Sequence, residues 1–390
     1  MRNSSIVAFS LVLAIGCASR TPTAPTAPKP GAPVATAPAP SLDIPAEALP
    51  LHGTLMIGDF HGTREIPAFV GRLVTAAVAR EPVVLALEIP TDNAASIQAF
   101  LASDGSIAAR RMLVSAPWWQ SPYQDGRRST AMAELLDTVR VLRAAGKPVD
   151  VVLIDDDGTH PEANGREEVM AHNVIAARRA RADAALIVYA GNLHTAKAEM
   201  PNLPGRRWMA MQVADAGIAL VSLNAHMGDG TAWVCRGSDP SGCGVSFAGG
   251  YPGTQPGIHL ERSPRGEFDG WFGAGSATAS PPAGIPAMAE GLDAKIAAAA
   301  SSPQAIGSKA RRAHAEKRYD RCAELLGQIA EPDGNTAYNH ACCLALAGRK
   351  DEALARLQYA LGAGFKDLKL LETDEDLVSP RGAPRWPVKK

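Results

Sequence analysis

The chain has 390 residues, a hydrophobic share of 46%, a charged share of 20% and a formal net charge of −1. The length predicts two folded units with tails, and the composition is that of a globular protein with a large core. Because the charges nearly balance, nothing indicates nucleic acid or an anionic membrane surface as a partner, and no nucleic-acid partner is expected.

The first segment has the pattern of a targeting sequence. Arg2 precedes an apolar stretch over residues 6–15, which is too short to span a bilayer. The stretch leads into LAIGC (13–17), which looks like a bacterial lipobox with Cys17 as the acylated residue. The alternative is an ordinary secretory signal that is cut nearby. We predict a lipoprotein signal peptide over 1–17, export, and lipid anchoring in the bacterial cell envelope, at the outer membrane.

Two stretches have the composition of linkers. Residues 18–48 consist mostly of Ala, Pro and Thr, and such a tract buries too little surface to offset its ordering entropy. We predict that it is a disordered tether that lifts a folded domain off the membrane. Residues 264–290 are rich in Gly, Ala, Pro and Ser, which predicts an interdomain linker.

Residues 49–263 alternate between apolar runs and helical patterns. The apolar runs are continuous, which is typical of strands buried on both faces of a parallel sheet. They comprise residues 54–57, 83–90, 150–157, 185–192 and 218–225. Helical spacing lies between them, over residues 65–79, 130–145 and 167–181. This order predicts an α/β domain with a mostly parallel sheet flanked by helices.

Residues 291–390 are the second predicted unit, a small all-helical module. The segment NTAYNHACCLALAGRKDEALARLQYALGAGF (335–365) resembles a tetratricopeptide repeat. The segment AEKRYDRCAELL (315–326) looks like the second half of a preceding repeat. Two partial repeats indicate a helical cap or a docking module for a protein partner. A separate hypothesis is that this module is the working part of the protein and that the α/β domain is a relic.

The cysteines suggest one disulfide and leave a second open. Cys235 and Cys243 enclose a Gly/Asp-Pro/Ser-Gly loop, which predicts a disulfide in an exported protein. The adjacent Cys342 and Cys343 are not expected to bond to each other. A bond from Cys322 to either of them is an open alternative.

Polar and titratable residues follow the predicted strands at their carboxyl ends. The set is Asp59, His61, Glu65, Glu88, Asp155, Asp156, Asp157, His160, Asn192 and His194. Parallel strands bring these ends to one edge of the sheet, where open α/β sheets bind ligands. Taken singly, each has a structural explanation, since Asp and Asn are common in turns. As a cluster they predict a functional site, with Glu88 directly against a buried strand.

Several short motifs recur at these strand ends. They are GDFHGTRE (58–65), ALE (86–88), DGR (125–127), REEVMAHN (166–173) and GNLH (191–194). Together they resemble the erythromycin esterase-like, ChaN and Tiki superfamily, over about residues 52–225. Asp59 and Glu167 depart from the family pattern, in which Glu and Asp, respectively, are more usual. The resemblance implies an α/β fold with its site at the strand ends.

The esterase-like branch implies a metal-independent hydrolase. His61 would activate water, with Glu65 or Glu88 orienting its imidazole. His194 would bind or polarise the substrate, and Arg166 would stabilise the oxyanion. The substrate-binding residues would be Asp59, Arg64, Arg127 and Asn192.

The other branches imply different chemistry. In a Tiki-like enzyme, His61, His194 and Glu65 would be ligands of a divalent metal ion that lowers the pKa of its bound water. ChaN-like members bind haem and need not be enzymes. We predict a membrane-tethered hydrolase of ester or amide bonds that acts on a small molecule or a peptide, with metal dependence open. The alternative is a haem- or metal-ion-binding envelope lipoprotein without turnover.

Overall fold

The computed structural model describes residues 42–160, 162, 164–201, 203–251 and 253–386. The strands are β1 (Thr54–Asp59), β2 (Val83–Pro90), β3 (Val149–Asp155), β4 (Ala185–Gly191), β5 (Val221–Gly228), β6 (Gly230–Cys235), β7 (Cys243–Ala248), β8 (Gly257–His259) and β9 (Gly270–Ser276). The α-helices are α1 (Glu65–Ala77), α2 (Ala94–Leu101), α3 (Ile107–Val114), α4 (Thr130–Ala144), α5 (Gly165–Ala180), α6 (Met209–Asp215), α7 (Leu292–Ala300), α8 (Pro303–Ala315), α9 (Tyr319–Gly327), α10 (Gly334–Leu346), α11 (Lys350–Gly362) and α12 (Leu368–Thr373). Short 3₁₀ helices lie at Thr91–Asn93, Pro240–Gly242, Pro286–Ala289 and Glu375–Leu377.

Seven strands form one sheet in the order β3-β2-β4-β1-β5-β9-β8. All neighbours pair in parallel except β8, which pairs antiparallel with β9. β1, β2 and β4 are buried almost throughout, as continuous apolar runs predict for strands covered on both faces. The predicted α/β class with a mostly parallel sheet is confirmed.

Helices cover both faces of this sheet. Along β1, Leu55 and Ile57 belong to the core under α1 and α4, whereas Met56 belongs to the core under α5 and α6. Side chains on successive residues of a strand point to opposite faces, so an all-apolar strand supplies both cores at once. Each such buried side chain contributes about 1.5–3 kcal/mol relative to an exposed one.

A disulfide-bonded hairpin, not predicted from the sequence, lies beside the sheet. β6 and β7 pair antiparallel, and Cys235 and Cys243, the pair for which the sequence predicts a bridge, are joined by a disulfide. The N–H of Trp233 donates a 2.9 Å hydrogen bond to the carbonyl of Gly62. The hairpin is therefore fixed to the loop that follows β1.

The predicted linker over 264–290 is wrong. This stretch contains β9, which pairs with β5 and β8 inside the sheet. The reason for its glycines is close packing, since a Cβ on Gly270 would lie 2.2 Å from the His259 carbonyl oxygen. A Cβ on Gly273 would likewise lie 1.8 Å from the Gln255 carbonyl oxygen. A segment whose composition is typical of a flexible linker therefore contains a strand of the sheet.

The predicted tether is too long at its C-terminal end. Leu42 and Ile44 pack against the main core, and Ala48 is fully buried. The signal peptide, Cys17 and the tether up to residue 41 lie outside the described residues. In the described part of the chain, no helix has the length and apolarity needed to cross a membrane.

The C-terminal region is helical, as predicted. α8 packs on α9, α9 on α10 and α10 on α11, and a disulfide joins Cys322 to Cys343. Its assignment as a tetratricopeptide-like module stays a prediction. Arg312 on α8 forms a 2.9 Å ion pair with Asp229, at the turn between β5 and β6. The helices therefore contact the base of the hairpin.

Gly62 is expected to be the most sensitive glycine of the β1 loop. Its φ is +81°, and a Cβ would lie 1.9 Å from the Trp233 carbonyl oxygen. Gly62→Ala is expected to lower the free energy of unfolding in urea by about 3 kcal/mol or more. Gly146→Ala is the control, because Gly146 has a φ of +72° but nothing within 4 Å. Gly146→Ala should lower the free energy of unfolding by only about 1 kcal/mol. Equal decreases in the two variants would contradict the packing explanation.

Candidate active site

Seven of the predicted site residues line one cleft at the carboxyl ends of the parallel strands. They are Asp59, His61, Glu88, Arg127, Arg166, Asn192 and His194. The cleft has a volume of about 360 Å³. It lies where open α/β sheets bind ligands, because strand ends and the following loops converge there.

Glu88, at the end of β2, occupies the centre of the cleft floor. Its side chain is 3% exposed. Oε1 accepts hydrogen bonds from Arg127 Nη1 at 3.0 Å and from Arg166 Nη2 at 2.5 Å, and Oε2 accepts one from the Gly191 N–H at 2.6 Å. A buried carboxylate with three such partners stays ionised, since both guanidinium groups supply charge as well as donors.

The two arginines are themselves paired with further carboxylates. Arg166 forms a bidentate pair with Asp155, at 2.7 and 2.9 Å, and Arg127 Nη1 donates to the same Asp155 at 2.7 Å. Arg127 also donates to Asp125 through Nε and Nη2, at 3.0 and 2.7 Å. Burial alone would lower the pKa of each guanidinium, but the surrounding carboxylates raise it above its usual range. Both arginines are therefore permanently charged and internally compensated.

His61 lies between two carboxylates. Its Nδ1 is 2.7 Å from Asp59 Oδ2, and its Nε2 is 3.5 Å from Glu88 Oε2. The Tyr189 hydroxyl donates to the same Asp59 oxygen at 2.7 Å. Burial lowers the pKa of His61, but Glu88 and Asp59 outweigh it and raise that pKa to about 10. In the resting protein at neutral pH, His61 is therefore an imidazolium whose orientation Asp59 fixes.

His194 is oriented by hydrogen bonds at both ring nitrogens. Its Nδ1 is 2.7 Å from Glu167 Oε1, and the other oxygen of Glu167 accepts the Met209 N–H at 3.0 Å. Its Nε2 is 3.1 Å from Arg166 Nη1. Because a guanidinium only donates hydrogen bonds, Nε2 must be the acceptor and Nδ1 must carry the proton. His194 thus positions Arg166 and does not offer a free basic nitrogen.

Gly191 leaves space at the point where these groups meet. A Cβ at this position would lie 3.0 Å from His61 Nε2, and 3.4 Å from both Glu88 Oε2 and His194 Cδ2. A side chain would fill the position next to the imidazole nitrogen that faces the cleft. Glycine therefore keeps this position accessible to a small reacting group.

Two predicted site residues lie elsewhere. Glu65 accepts the Thr278 N–H at 2.8 Å, and no hydrogen bond joins it to His61 in the described part of the chain. Arg64 is exposed at the start of α1, outside the residues that line the cleft. The cause is the turn at Gly62, after which Thr63 pairs with Ala279 and directs the chain away from the cleft. Asp59 takes the orienting position that is expected of Glu65 or Glu88 from the sequence, and Glu88 lies at the other ring nitrogen.

Four residues that support the site have no individual role assigned from the sequence, although Asp155 belongs to the predicted cluster. They are Asp125, Asp155, Glu167 and Tyr189. Asp125 and Glu167 lay in recognised motifs, and Asp155 ended a predicted strand. Tyr189 gave the weakest signal, a single phenol in an aliphatic run, although a buried Tyr usually requires a hydroxyl partner.

The site does not fit a divalent metal ion held by His61, His194 and Glu65. Glu65 is not in the cleft, and the Nε2 lone pair of His194 already accepts from Arg166. Two guanidinium groups lie against the carboxylate oxygens that a cation would need.

Comparisons with known proteins give structural neighbours only. No protein-family model and no curated protein matches the sequence. A Bacillus cereus protein is 12% identical, with a TM-score of 0.43, over 60% of this chain and 90% of that one. An erythromycin esterase variant in its open conformation is 12% identical, with a TM-score of 0.48, over 60% and 93%. A succinoglycan biosynthesis protein is 11% identical, with a TM-score of 0.47, over 60% and 90%.

One of these neighbours carries the name of the family that the sequence motifs resemble. TM-scores below 0.5 do not identify the reaction of this chain. The reaction has to be inferred from the side chains in the cleft.

The raised pKa of His61 predicts a loss of stability at alkaline pH. Folding stabilises the imidazolium, so the contribution is complete below the unfolded pKa of 6.5 and is lost as the pH rises towards about 10. At most it amounts to about 5 kcal/mol. The free energy of unfolding in urea should fall more between pH 6.5 and about 9.5 in the wild type than in His61→Gln. Equal losses would show that Asp59 and Glu88 do not raise this pKa.

Proposed function

We propose that the chain is a hydrolase of ester or amide bonds in which Asp59 and His61 act as a proton-transferring pair. The observation that carries this proposal is the geometry of His61. Asp59 fixes Nδ1 at 2.7 Å, while Nε2 faces the position that Gly191 keeps accessible. A histidine oriented by a buried carboxylate, with its second nitrogen directed into a cleft, is suited to general base and then general acid catalysis.

The reaction has two proton transfers through one nitrogen. Neutral His61 takes a proton at Nε2 from a water molecule, whose oxygen bonds to the carbonyl carbon of the substrate. The tetrahedral oxyanion then collapses, the bond to the leaving oxygen or nitrogen breaks, and His61 returns the proton to that atom. Asp59 stays ionised throughout and stabilises the imidazolium between the two steps.

Arg166 is placed to stabilise the oxyanion. Its guanidinium has five N–H groups. Nε donates to Asp155, Nη2 donates to Asp155 and Glu88, and Nη1 donates to His194. One N–H of Nη1 therefore remains for the substrate. Because its other four N–H groups are already hydrogen-bonded, the guanidinium does not need to reorient when charge develops in the transition state.

We also propose that the protein works outside the cytoplasm, tethered by Cys17. The lipobox-like sequence supports this proposal, and so do the disulfides at Cys235–Cys243 and Cys322–Cys343. Disulfides persist in oxidising compartments. A protein partner for the C-terminal helices stays a prediction.

Replacing His61 or Asp59 should abolish most turnover without unfolding the protein. For His61→Asn we expect kcat/KM for p-nitrophenyl acetate to fall by about 10²–10⁴-fold. Asp59→Asn should lose about as much, because an amide donor at Nδ1 leaves the proton on Nε2. His172→Asn, at an exposed histidine on α5, is the control and should be unchanged. Full activity in His61→Asn would exclude the mechanism.

The dependence of kcat/KM on pH should show that the neutral form of His61 is required. Only neutral His61 can accept a proton, and the pKa of about 10 makes this form scarce at neutral pH. Between about pH 7 and 9, kcat/KM should rise roughly tenfold per pH unit after correction for spontaneous hydrolysis, and it should level off near the pKa. A profile that is flat or falls over this range would mean that His61 does not act as the base.

A further inference from the structure

The cleft has an apolar wall beside its charged floor. This wall consists of Phe60, Leu193 and Val234, and all three line the same cleft as His61. Phe60 is 43% exposed, which is unusual for a large aromatic side chain next to a reacting group. An exposed apolar side chain indicates a ligand-binding site when it belongs to a concave surface that also contains converging polar groups.

The wall residues are anchored on three different elements. Leu193 follows β4 and packs partly against the cluster of Ala196, Trp208 and Phe268, and Val234 lies on β6 and packs partly against the main core. Val234 is next to the cross-linked Cys235, so the hairpin presents it from a fixed position. Phe60 directly precedes His61 in sequence. All three side chains line the cleft that contains the His61 imidazole.

The two guanidinium groups of the floor are already paired with carboxylates. Asp155 and Glu88 compensate Arg166, and the same two carboxylates together with Asp125 compensate Arg127. An anionic substrate would have to compete with these carboxylates. An uncharged, apolar group can bind along the wall without disturbing these ion pairs.

We infer that the substrate is a neutral ester or amide whose apolar acyl group packs against Phe60, Leu193 and Val234. This inference rests on the proposed hydrolase function. The carbonyl carbon would lie beside Gly191, within reach of His61 and Arg166, and the acyl group would extend along the wall. Selectivity for acyl length then comes from apolar contact, at up to about fourfold per buried methylene.

The kinetic test compares p-nitrophenyl hexanoate with p-nitrophenyl acetate on the full chain. The wild type should favour hexanoate by at least about tenfold in kcat/KM. Phe60→Ala should lose most of this preference, whereas Phe60→Leu should keep most of it. Tyr359→Ala removes an equally exposed aromatic ring from the C-terminal helices and should change neither substrate.

A binding measurement separates this inference from the proposed reaction. Hexanamide should bind more tightly than acetamide in an NMR titration, and Phe60→Ala should abolish the difference. If the amides show this preference but neither ester is turned over, the result supports apolar binding at the wall and contradicts the proposed hydrolase function. If the esters are turned over without a length preference, or the two amides bind equally, the apolar wall does not select the substrate.

Discussion

The buried carboxylate of Glu88 is the constraint on which the rest of the site depends. An isolated buried charge would cost several kcal/mol, so the fold must bring donors to it. Arg127, Arg166 and the Gly191 N–H meet this need, and each comes from a different part of the chain. Once both arginines are directed inward, Asp125 and Asp155 are required to compensate them. The charged groups of the cleft are thereby assembled around the two carboxylate oxygens of Glu88.

This arrangement also explains why the two histidines differ. His61 faces only acceptors, Asp59 and Glu88, and therefore retains a proton. His194 also has carboxylates near both nitrogens, Glu167 at Nδ1 and Glu88 at 3.6 Å from Nε2, but Arg166 donates to its Nε2, which therefore acts as an acceptor. Identical side chains at equivalent strand ends acquire opposite functions from their partners. One carries the proton, and the other positions Arg166, for which we propose the role of stabilising the oxyanion.

Much of the sheet could be predicted from the sequence, because strands buried on both faces leave continuous apolar runs. β9 could not be predicted, since Gly270 and Gly273 are required there by close backbone packing and read as linker residues. Within the site, His61 and Glu88 were identified by their position at strand ends. The choice of Asp59 over Glu65 depends on the turn at Gly62, which no local pattern encodes.

The protonation state of His61 is the most direct test of this account. Long-range ¹H–¹⁵N NMR of the imidazole nitrogens in the full chain, recorded from about pH 5 to 11, would measure it, with His61→Asn to assign the resonance. We predict one imidazole that stays fully protonated at about pH 8, titrates near pH 10 and is missing in the variant. Titration of His61 near its ordinary value, about 6.5, would contradict the account, because Asp59 and Glu88 would then not hold the proton.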